Sequence, residues 1–403
     1  MNPELATDEQ KSVSLEEITS QGIGSGLEVE RLAAEDASIS VPFDPGKIDV
    51  ITQARTVDLL LTRLKEGELN LSPDFQRRSN LWDEATKSAL LESILLRIPI
   101  PSLYVAEDEN GNYTVVDGLQ RLCAIAHFVS VEALNKAVQK ELNPLRLKGM
   151  ESLREFNGKA FAELPRPLQR RINETELTLH VIRAGTPQTV KFNIFSRINR
   201  GGLPLTAQEI RNAIYRGDWK KYVREFAESR AFKEATQGKI KGERMEDLEL
   251  VLRFVALYSQ DNSVARPPEQ NLDDFLNSFV EKQCAGWNAE RWEDVKNAFE
   301  RAMEFAPKIF GSVAFRKYSG PGQYRRPINR GLFEAESVAV ARRDRAELVS
   351  LVERSTKVIA AFASYFKDDE GFQNALLYAT GRGAASNKRL EIMERLFREV
   401  LSD

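Results

Sequence analysis

Asp117-Gly118-Leu119-Gln120-Arg121 is the segment of this 403-residue chain whose residue types and spacing could do chemistry. The apolar run Tyr113-Thr114-Val115-Val116 reads as a strand that ends at Asp117. Gly118 permits a tight turn or the close approach of a ligand to the backbone. A helix follows at once, and its first N–H groups have no intrahelical partner. Those donors and the positive end of the helix dipole make an anion site. Gln120 adds a neutral donor and acceptor, and Arg121 adds a guanidinium fork suited to phosphate oxygens. Each charged hydrogen bond contributes roughly 1.5–3 kcal/mol. Asp117 can hold Mg²⁺, orient a water or cap the helix. The same spacing also fits a plain capped turn with a surface arginine, so the residues alone leave both readings open.

The elements that must position this turn are legible around it. Val57 to Leu64 fits a short amphipathic helix, and Leu71 to Trp82 an extended, turn-rich segment with Pro73 and Arg77-Arg78. Asp83 suits the N-cap of a helix whose apolar face holds Leu90, Leu91, Ile94, Leu95 and Ile98. Pro99 and Pro101 end that helix. Leu103–Ala106 and Tyr113–Val116 flank Asn110-Gly111, a hairpin signal. Leu122–Val129 reads as a helix, and Glu176–Arg183 alternates as a half-buried strand. Thr186-Pro187 reads as an N-cap with Pro at the first helical position, and Gly201-Gly202 as that helix's end. Thr206-Ala207-Gln208-Glu209 is a capping box. From about 216 onward the pattern is helical. The expected fold class is α+β: a domain over 46–215 with a small mixed sheet, then an all-helical domain over 216–403.

Charge is uneven. Residues 1–45 carry ten acidic and two basic side chains, a net −8, which leaves +5 for 46–403 in a chain whose formal net charge is −3. That segment is polar and poorly periodic, and predicts a largely disordered tail with at most a short helix near 13–19. Hydrophobic residues at 42% and charged residues at 29% are ordinary for a soluble globular protein. No run approaches the ~18 apolar residues of a membrane span, and the acidic N-terminus has no signal-peptide core, so a cytoplasmic location without membrane contact is expected. Cys123 and Cys284 are too few for a zinc site or a disulfide framework and read as buried, reduced thiols, with one long-range disulfide left open. His127 and His180 are the only two histidines, so residues beyond 180 cannot form an HNH-type nuclease centre.

Val116-Asp117-Gly118-Leu119-Gln120-Arg121-Leu122 resembles the Asp-Gly-Gln-Gln-Arg motif of the N-terminal (S-type) domain of GmrSD-type modification-dependent restriction endonucleases. Four further blocks are similar to that family in the same order. They are Pro73-Asp74-Phe75-Gln76-Arg77 with Leu81-Trp82, Ile94 to Pro101 ending in Ile-Pro-Ile-Pro, Ile194 to Thr206, and Leu248 to Phe254. Together they span roughly 55–255, and a weaker similarity to stand-alone members continues through Phe333-Glu334. The resemblance implies a ParB/sulfiredoxin-like fold group for the first domain. It implies nucleoside triphosphate binding, with hydrolysis coupled to control of DNA cleavage in defence against foreign DNA. It puts Asp117, Gly118, Gln120 and Arg121 at the motif positions, with Asp117 and Arg121 as the catalytic pair and Asp117 as the Mg²⁺ ligand. Leu119 departs from the pattern by replacing the usual first Gln. A leucine cannot hydrogen-bond a phosphate or base, so a nucleotide contact there is lost, unless the family's side chain faces the core.

The resemblance also brings in Gln76-Arg77, which can reach the same phosphates, and Arg197 with Asn199, although Asn199 suits a structural C-cap equally well. Cys123 lies on the helix rather than inside the turn where sulfiredoxins place theirs, and reads as core. His127, four residues on, shares its face. The clusters Arg166/Arg170/Arg171, Arg211/Arg216/Lys220/Lys221, Arg325/Arg326/Arg330 and Arg342/Arg343/Arg345 read first as solvated helix faces, with DNA phosphate contact as the alternative. Tyr318 to Arg330 is the best loop candidate for nucleic acid. The leading expectation is an NTP-binding and NTP-hydrolysing regulatory subunit whose partners are DNA and a separate nuclease subunit. The alternatives are a ParB-like DNA-binding module that uses nucleotide as a switch without turnover, and a metal-dependent DNA nickase. A homo-oligomer is left open.

Overall fold

Alternation of Leu177, Leu179 and Val181 with Glu176, Thr178 and His180 makes residues 176–182 a strand with one apolar face, and that strand pairs on both of its edges. The computed structural model describes residues 16–18, 24–30, 46, 48–71, 82–198, 205–260, 266–322, 325–378 and 380–402. The chain divides into two units, Phe43–Arg216, and Met1–Pro42 with Gly217–Asp403.

In chain order the first elements are the strands β1 (Glu16–Ile18) and β2 (Gly24–Glu28), which belong to the second of these units. The Phe43–Arg216 unit follows with β3 (Val50–Thr56), α1 (Val57–Glu66), β4 (Leu69–Asn70), α2 (Glu84–Leu95), β5 (Leu103–Glu107), β6 (Tyr113–Asp117), α3 (Leu119–Val129), α4 (Val131–Val138), α5 (Arg166–Glu174), β7 (Glu176–Ile182), α6 (Gln188–Ile198) and α7 (Ala207–Ile214). Its sheet has the order β3-β7-β5-β6-β4, with β3/β7 and β5/β6 antiparallel and β5/β7 and β4/β6 parallel. Alternate residues Leu103, Val105, Val115, Leu179 and Val181 form one core with Leu60 and Leu64 of α1, Leu91 and Leu95 of α2, and Leu122 and Ile125 of α3. At ~1.5–3 kcal/mol for each fully buried large side chain, this face supplies the unit's main cohesion.

Local chemistry sets the boundaries. Asp83 accepts from Thr86 N at 2.7 Å and starts α2. In the β5–β6 hairpin Asp108 Oδ1 accepts from Asn110 N and Asn112 N at 2.8 Å each, and Gly111 takes φ 78°. Arg216 and two Asn112 bonds hold the Asp108 carboxyl down at about 2 against the opposing effect of burial. The capping box at α7 forms in full, with Glu209 N to Thr206 Oγ1 at 3.1 Å and Thr206 N to Glu209 Oε2 at 2.7 Å. Pro187 stands one place earlier than expected. Its carbonyl accepts from Lys191 N at 2.9 Å, which makes it the cap of α6, while the Thr186 hydroxyl exchanges bonds with the Asp49 backbone. Glu92 of α2 accepts from the successive N–H groups of Glu151, Ser152 and Leu153 at 2.7–3.1 Å and so pins the long segment after α4. Those bonds lower its pKa although burial opposes them.

The second unit is built from α8 (Trp219–Glu228), α9 (Arg230–Ala235), α10 (Glu246–Tyr258), α11 (Leu272–Ser278), α12 (Ala289–Phe310), α13 (Arg330–Ala341), α14 (Arg345–Glu353), α15 (Ser355–Asp368), α16 (Glu370–Leu377) and α17 (Gly383–Ser402). Every residue of α13 is buried, including Arg330, Glu334 and Glu336. No helix among the described residues is long and apolar enough to cross a membrane. The fold is α+β with a helical C-terminal region.

The expectation of a disordered tail over 1–45 with a short helix near 13–19 is corrected where residues are described. Glu16–Ile18 and Gly24–Glu28 pair antiparallel, with Glu16 opposite Glu28. Leu27 is fully buried and bridges Ile328, with Glu28 N to Ile328 O at 2.8 Å and Ile328 N to Gly26 O at 3.0 Å. A β-carbon on Gly26, at φ 85°, would stand 2.3 Å from Lys239 O, so only glycine fits. The described acidic residues are bound rather than solvated. Glu17 takes both Arg330 Nη atoms at 2.9 and 2.7 Å, Glu28 takes Lys317 and Asn329 at 2.9 Å each, and Glu30 takes Arg253 at 2.8 Å and Thr380 at 3.0 Å. Glu334 joins Arg253 to Arg389 at 2.9 and 2.8 Å. A polar composition reads as solvated only while the cations that answer it lie out of view, and here they stand hundreds of positions away.

Candidate functional site

The turn after β6 forms because its residues leave no other choice. Gly118 takes φ 86°, ψ 12°, and a β-carbon there would lie 2.1 Å from Leu103 Cδ2 and 3.1 Å from Arg121 Nη2. Gly118 is the N-cap of α3 and supplies no side-chain cap. Its carbonyl accepts from Leu122 N at 3.0 Å. The N-terminal turn of α3 thus lacks the Ser, Thr, Asp or Asn oxygen that usually satisfies such donors. Leu122 through Phe128 are all buried, so the helix is anchored on the core and its start is held still.

Each motif residue has a distinct place. Leu119 packs against the hydrophobic core, so the departure at this position serves packing. Gln120 has both amide atoms, Oε1 and Nε2, buried and without a hydrogen-bond partner. Burying an amide this way costs ~1–3 kcal/mol, a cost native structures rarely carry without reason. Arg121 Nη2 donates to Asp117 Oδ2 at 2.8 Å, and Nη1 donates to Pro101 O at 2.6 Å and Ser102 O at 3.1 Å. The Asp117 carboxylate is therefore an ion-pair partner and not a helix cap. The arginine side chain is 14% exposed and the aspartate 37%, so the pair forms the rim of the turn with its carboxylate toward solvent. Arg121 also ties the Ile-Pro-Ile-Pro segment to the motif, which explains physically why those two blocks occur together.

The sheet adds a row of side chains beside the turn that sequence reasoning missed. Thr52 pairs with His180, His180 with Tyr104, and Tyr104 with Asp117 across four adjacent strands. The Tyr104 and His180 ring centroids lie 4.6 Å apart, and Thr52 Oγ1 is 3.0 Å from His180 Nδ1. Tyr104 faces away from the Leu103/Val105 core face, and that alternation was the available signal.

Cys123 and His127 do not form a nucleophile pair. His127 Nε2 donates to Asn143 O at 2.8 Å, which leaves Nδ1 as acceptor 3.3 Å from Lys87 Nζ. This is a neutral imidazole, consistent with a pKa lowered by burial and by Lys87. Burial pushes the Cys123 thiol up to about 12, too high for a thiolate at neutral pH. Cys284 is likewise a buried free thiol. Arg197 is exposed near the end of α6, while Gln76, Arg77 and Asn199 lie outside the described residues. No group of three or more His, Cys, Asp or Glu side chains able to hold a metal occurs among the described residues.

Comparison with known proteins gives one finding. Residues 59–216 match the family model for the GmrSD restriction endonuclease, N-terminal domain. No curated protein and no solved structure matches the chain. The matched span runs from α1 through α7, contains the Asp117–Arg121 turn and ends at the last residue of the sheet-bearing unit. The turn therefore lies within a segment similar to the GmrSD restriction endonuclease N-terminal domain.

Proposed function

We propose that the Asp117–Arg121 turn binds a nucleoside triphosphate and that the chain acts as a nucleotide-handling regulatory component of a GmrSD-type restriction or phage-defence system directed at DNA. The observation that carries this reading is the Gln120 amide, buried without a partner in the first turn of a helix that no side chain caps. Phosphate oxygens on the first N–H groups of α3 satisfy those donors, and Gln120 gains a partner in the same step. Arg121 exchanges the Pro101 and Ser102 carbonyls for phosphate, so ligand binding is coupled to the Pro99–Ser102 segment. Asp117, released from Arg121, is the residue that would hold Mg²⁺ together with the triphosphate or orient the attacking water, and Arg121 stabilises charge on the transferred phosphoryl group. Phosphodiester cleavage is left to a different catalytic domain.

One observation favours nucleotide as a switch without turnover. Arg121 and Asp117 neutralise each other, and among the described residues no other carboxylate and no histidine is hydrogen-bonded to either as a base. Binding of fluorescent ATP and GTP with Mg²⁺ to the wild type and to Arg121→Ala tests the first claim. The wild type is expected to bind saturably, and the variant at least tenfold more weakly. Equal affinity in both, or none in the wild type, sinks it. Phosphate release that tracks binding supports turnover, whereas binding without release supports the switch.

A further inference from the structure

We propose that the cleft of the helical unit between α9, α12 and the C-terminal ends of α10 and α13 binds the phosphodiester backbone of a nucleic acid, independently of the nucleotide turn. The cleft has a volume of about 1630 Å³. That exceeds the ~300–1,000 Å³ of a small-molecule pocket and suits a segment of a polymer. Seven Arg and Lys residues line it against four Asp and Glu. Arg230 and Lys308 are matched by Glu234 and Glu304 at 2.7 Å each, which leaves five arginines against Glu300 and Asp344 on the lining and Glu394 beside Arg342 and Arg343.

Three of those five are fixed in place by acceptors of the protein itself. Arg301 Nη2 donates to Ala341 O at 2.7 Å, and Arg342 Nη2 donates to Leu257 O at 3.4 Å. Both carbonyls lie in the last turn of a helix, where cations are favoured. Arg343 pairs with Glu394. In all three the Nε atom is buried with no hydrogen-bond partner. Their packing holds these three guanidinium groups on the cleft lining and so fixes where its positive charge lies. Arg291 and Arg345 are exposed on the lining, and Arg291 lies 5.3 Å over the Trp287 ring, which sets its direction. A phosphodiester chain supplies one charge per nucleotide at regular spacing, and guanidinium forks match its oxygens.

The test is fluorescence anisotropy of the full chain with labelled 20-base-pair duplex DNA, 20-nucleotide single-stranded DNA and the corresponding RNA, between 50 and 200 mM salt. Saturable, salt-sensitive binding of at least one of the three is expected, and their ranking identifies the source of the backbone. The double variant Arg291→Gln/Arg345→Gln, both at exposed positions, is expected to bind about tenfold more weakly at 50 mM salt. Its salt slope should fall by about two, with an unchanged circular dichroism melt. Arg166→Gln/Arg170→Gln, exposed on the other unit, should match the wild type. No binding by the wild type overturns the proposal, as does an unchanged affinity and slope in the cleft variant, or an equal loss in the control variant. Binding of a labelled polyglutamate peptide without binding of any nucleic acid overturns it in favour of an acidic protein partner.

Discussion

At position 118 backbone and packing impose the same residue, because φ 86° and a 2.1 Å approach of any β-carbon to Leu103 Cδ2 both require glycine. Gly118→Ala is expected to cost at least ~2 kcal/mol, from left-handed backbone strain and a displaced core leucine. A fall in thermal midpoint together with loss of nucleotide binding checks this. Gln120 separates stability from function in the opposite sense. Gln120→Leu removes two orphaned polar atoms and should stabilise by about 1 kcal/mol while abolishing nucleotide binding. A variant that is less stable, or that binds as the wild type does, contradicts the reading. Glu336 is fully buried, accepts one bond from Phe315 N at 2.7 Å and leaves Oε1 unpartnered. Burial raises its pKa well above the usual carboxylate range, against the opposing effect of the Phe315 N–H bond and Arg316. Its stabilising effect is complete below about 4.5 and is lost as pH rises and the unfolded chain ionises. Glu336→Gln, neutral at every pH, should raise the midpoint at pH 7–8 by several degrees and flatten the decline above pH 5.

The elements that position the turn are local in origin, and the N-terminal hairpin is not. Asp83, Thr206 with Glu209, and Asn110-Gly111 do what their immediate neighbours dictate, so each was readable in sequence. β1 and β2 exist because Leu27 has a core to enter and Glu17, Glu28 and Glu30 have cations to meet. Burial by itself would raise the Glu30 pKa, but Arg253 overrides it, with Arg330 and Thr380, and brings it from 4.5 to about 2. That carboxylate therefore contributes on the order of 3 kcal/mol that is fully present above pH 4.5 and lost as pH falls toward 2. Acid titration followed by circular dichroism should show loss of the helical unit in that window. Glu30→Gln should begin unfolding from a lower stability and show a shallower acid slope.

On the scale of the whole molecule, the sheet-bearing unit is continuous in sequence while the helical unit is assembled from two separated stretches. Among the described residues, the core of Phe43–Arg216 runs from Val57 to Val181. A fragment of residues 43–216 should unfold cooperatively by itself. A fragment of residues 217–403 should not, because Lys317 and Arg330 would lose Glu28 and Glu17 and Arg253 would keep Glu249 and Glu334 but lose Glu30. Restoring cooperative unfolding by adding residues 1–42 in trans would secure the point, and a stable 217–403 fragment would refute it.

What the sequence determined by itself was the α+β class, the family resemblance over the matched span 59–216 and the strand–turn–helix at Asp117–Arg121. All of these depend on neighbours within a few residues, where period, capping and glycine conformation act. Tertiary structure decided the rest. It placed Tyr104 and His180 beside Asp117, sent Leu119 into the core, and gave Arg121 to the Pro101 and Ser102 carbonyls about twenty residues away. It also paired Glu30 with Arg253 across 223 positions, binding the described stretch 24–30 of a segment that reads as a solvated tail. A charge or an amide shows its type in the sequence, but its free energy depends on which partner and how much water surround it, and only the folded chain sets those.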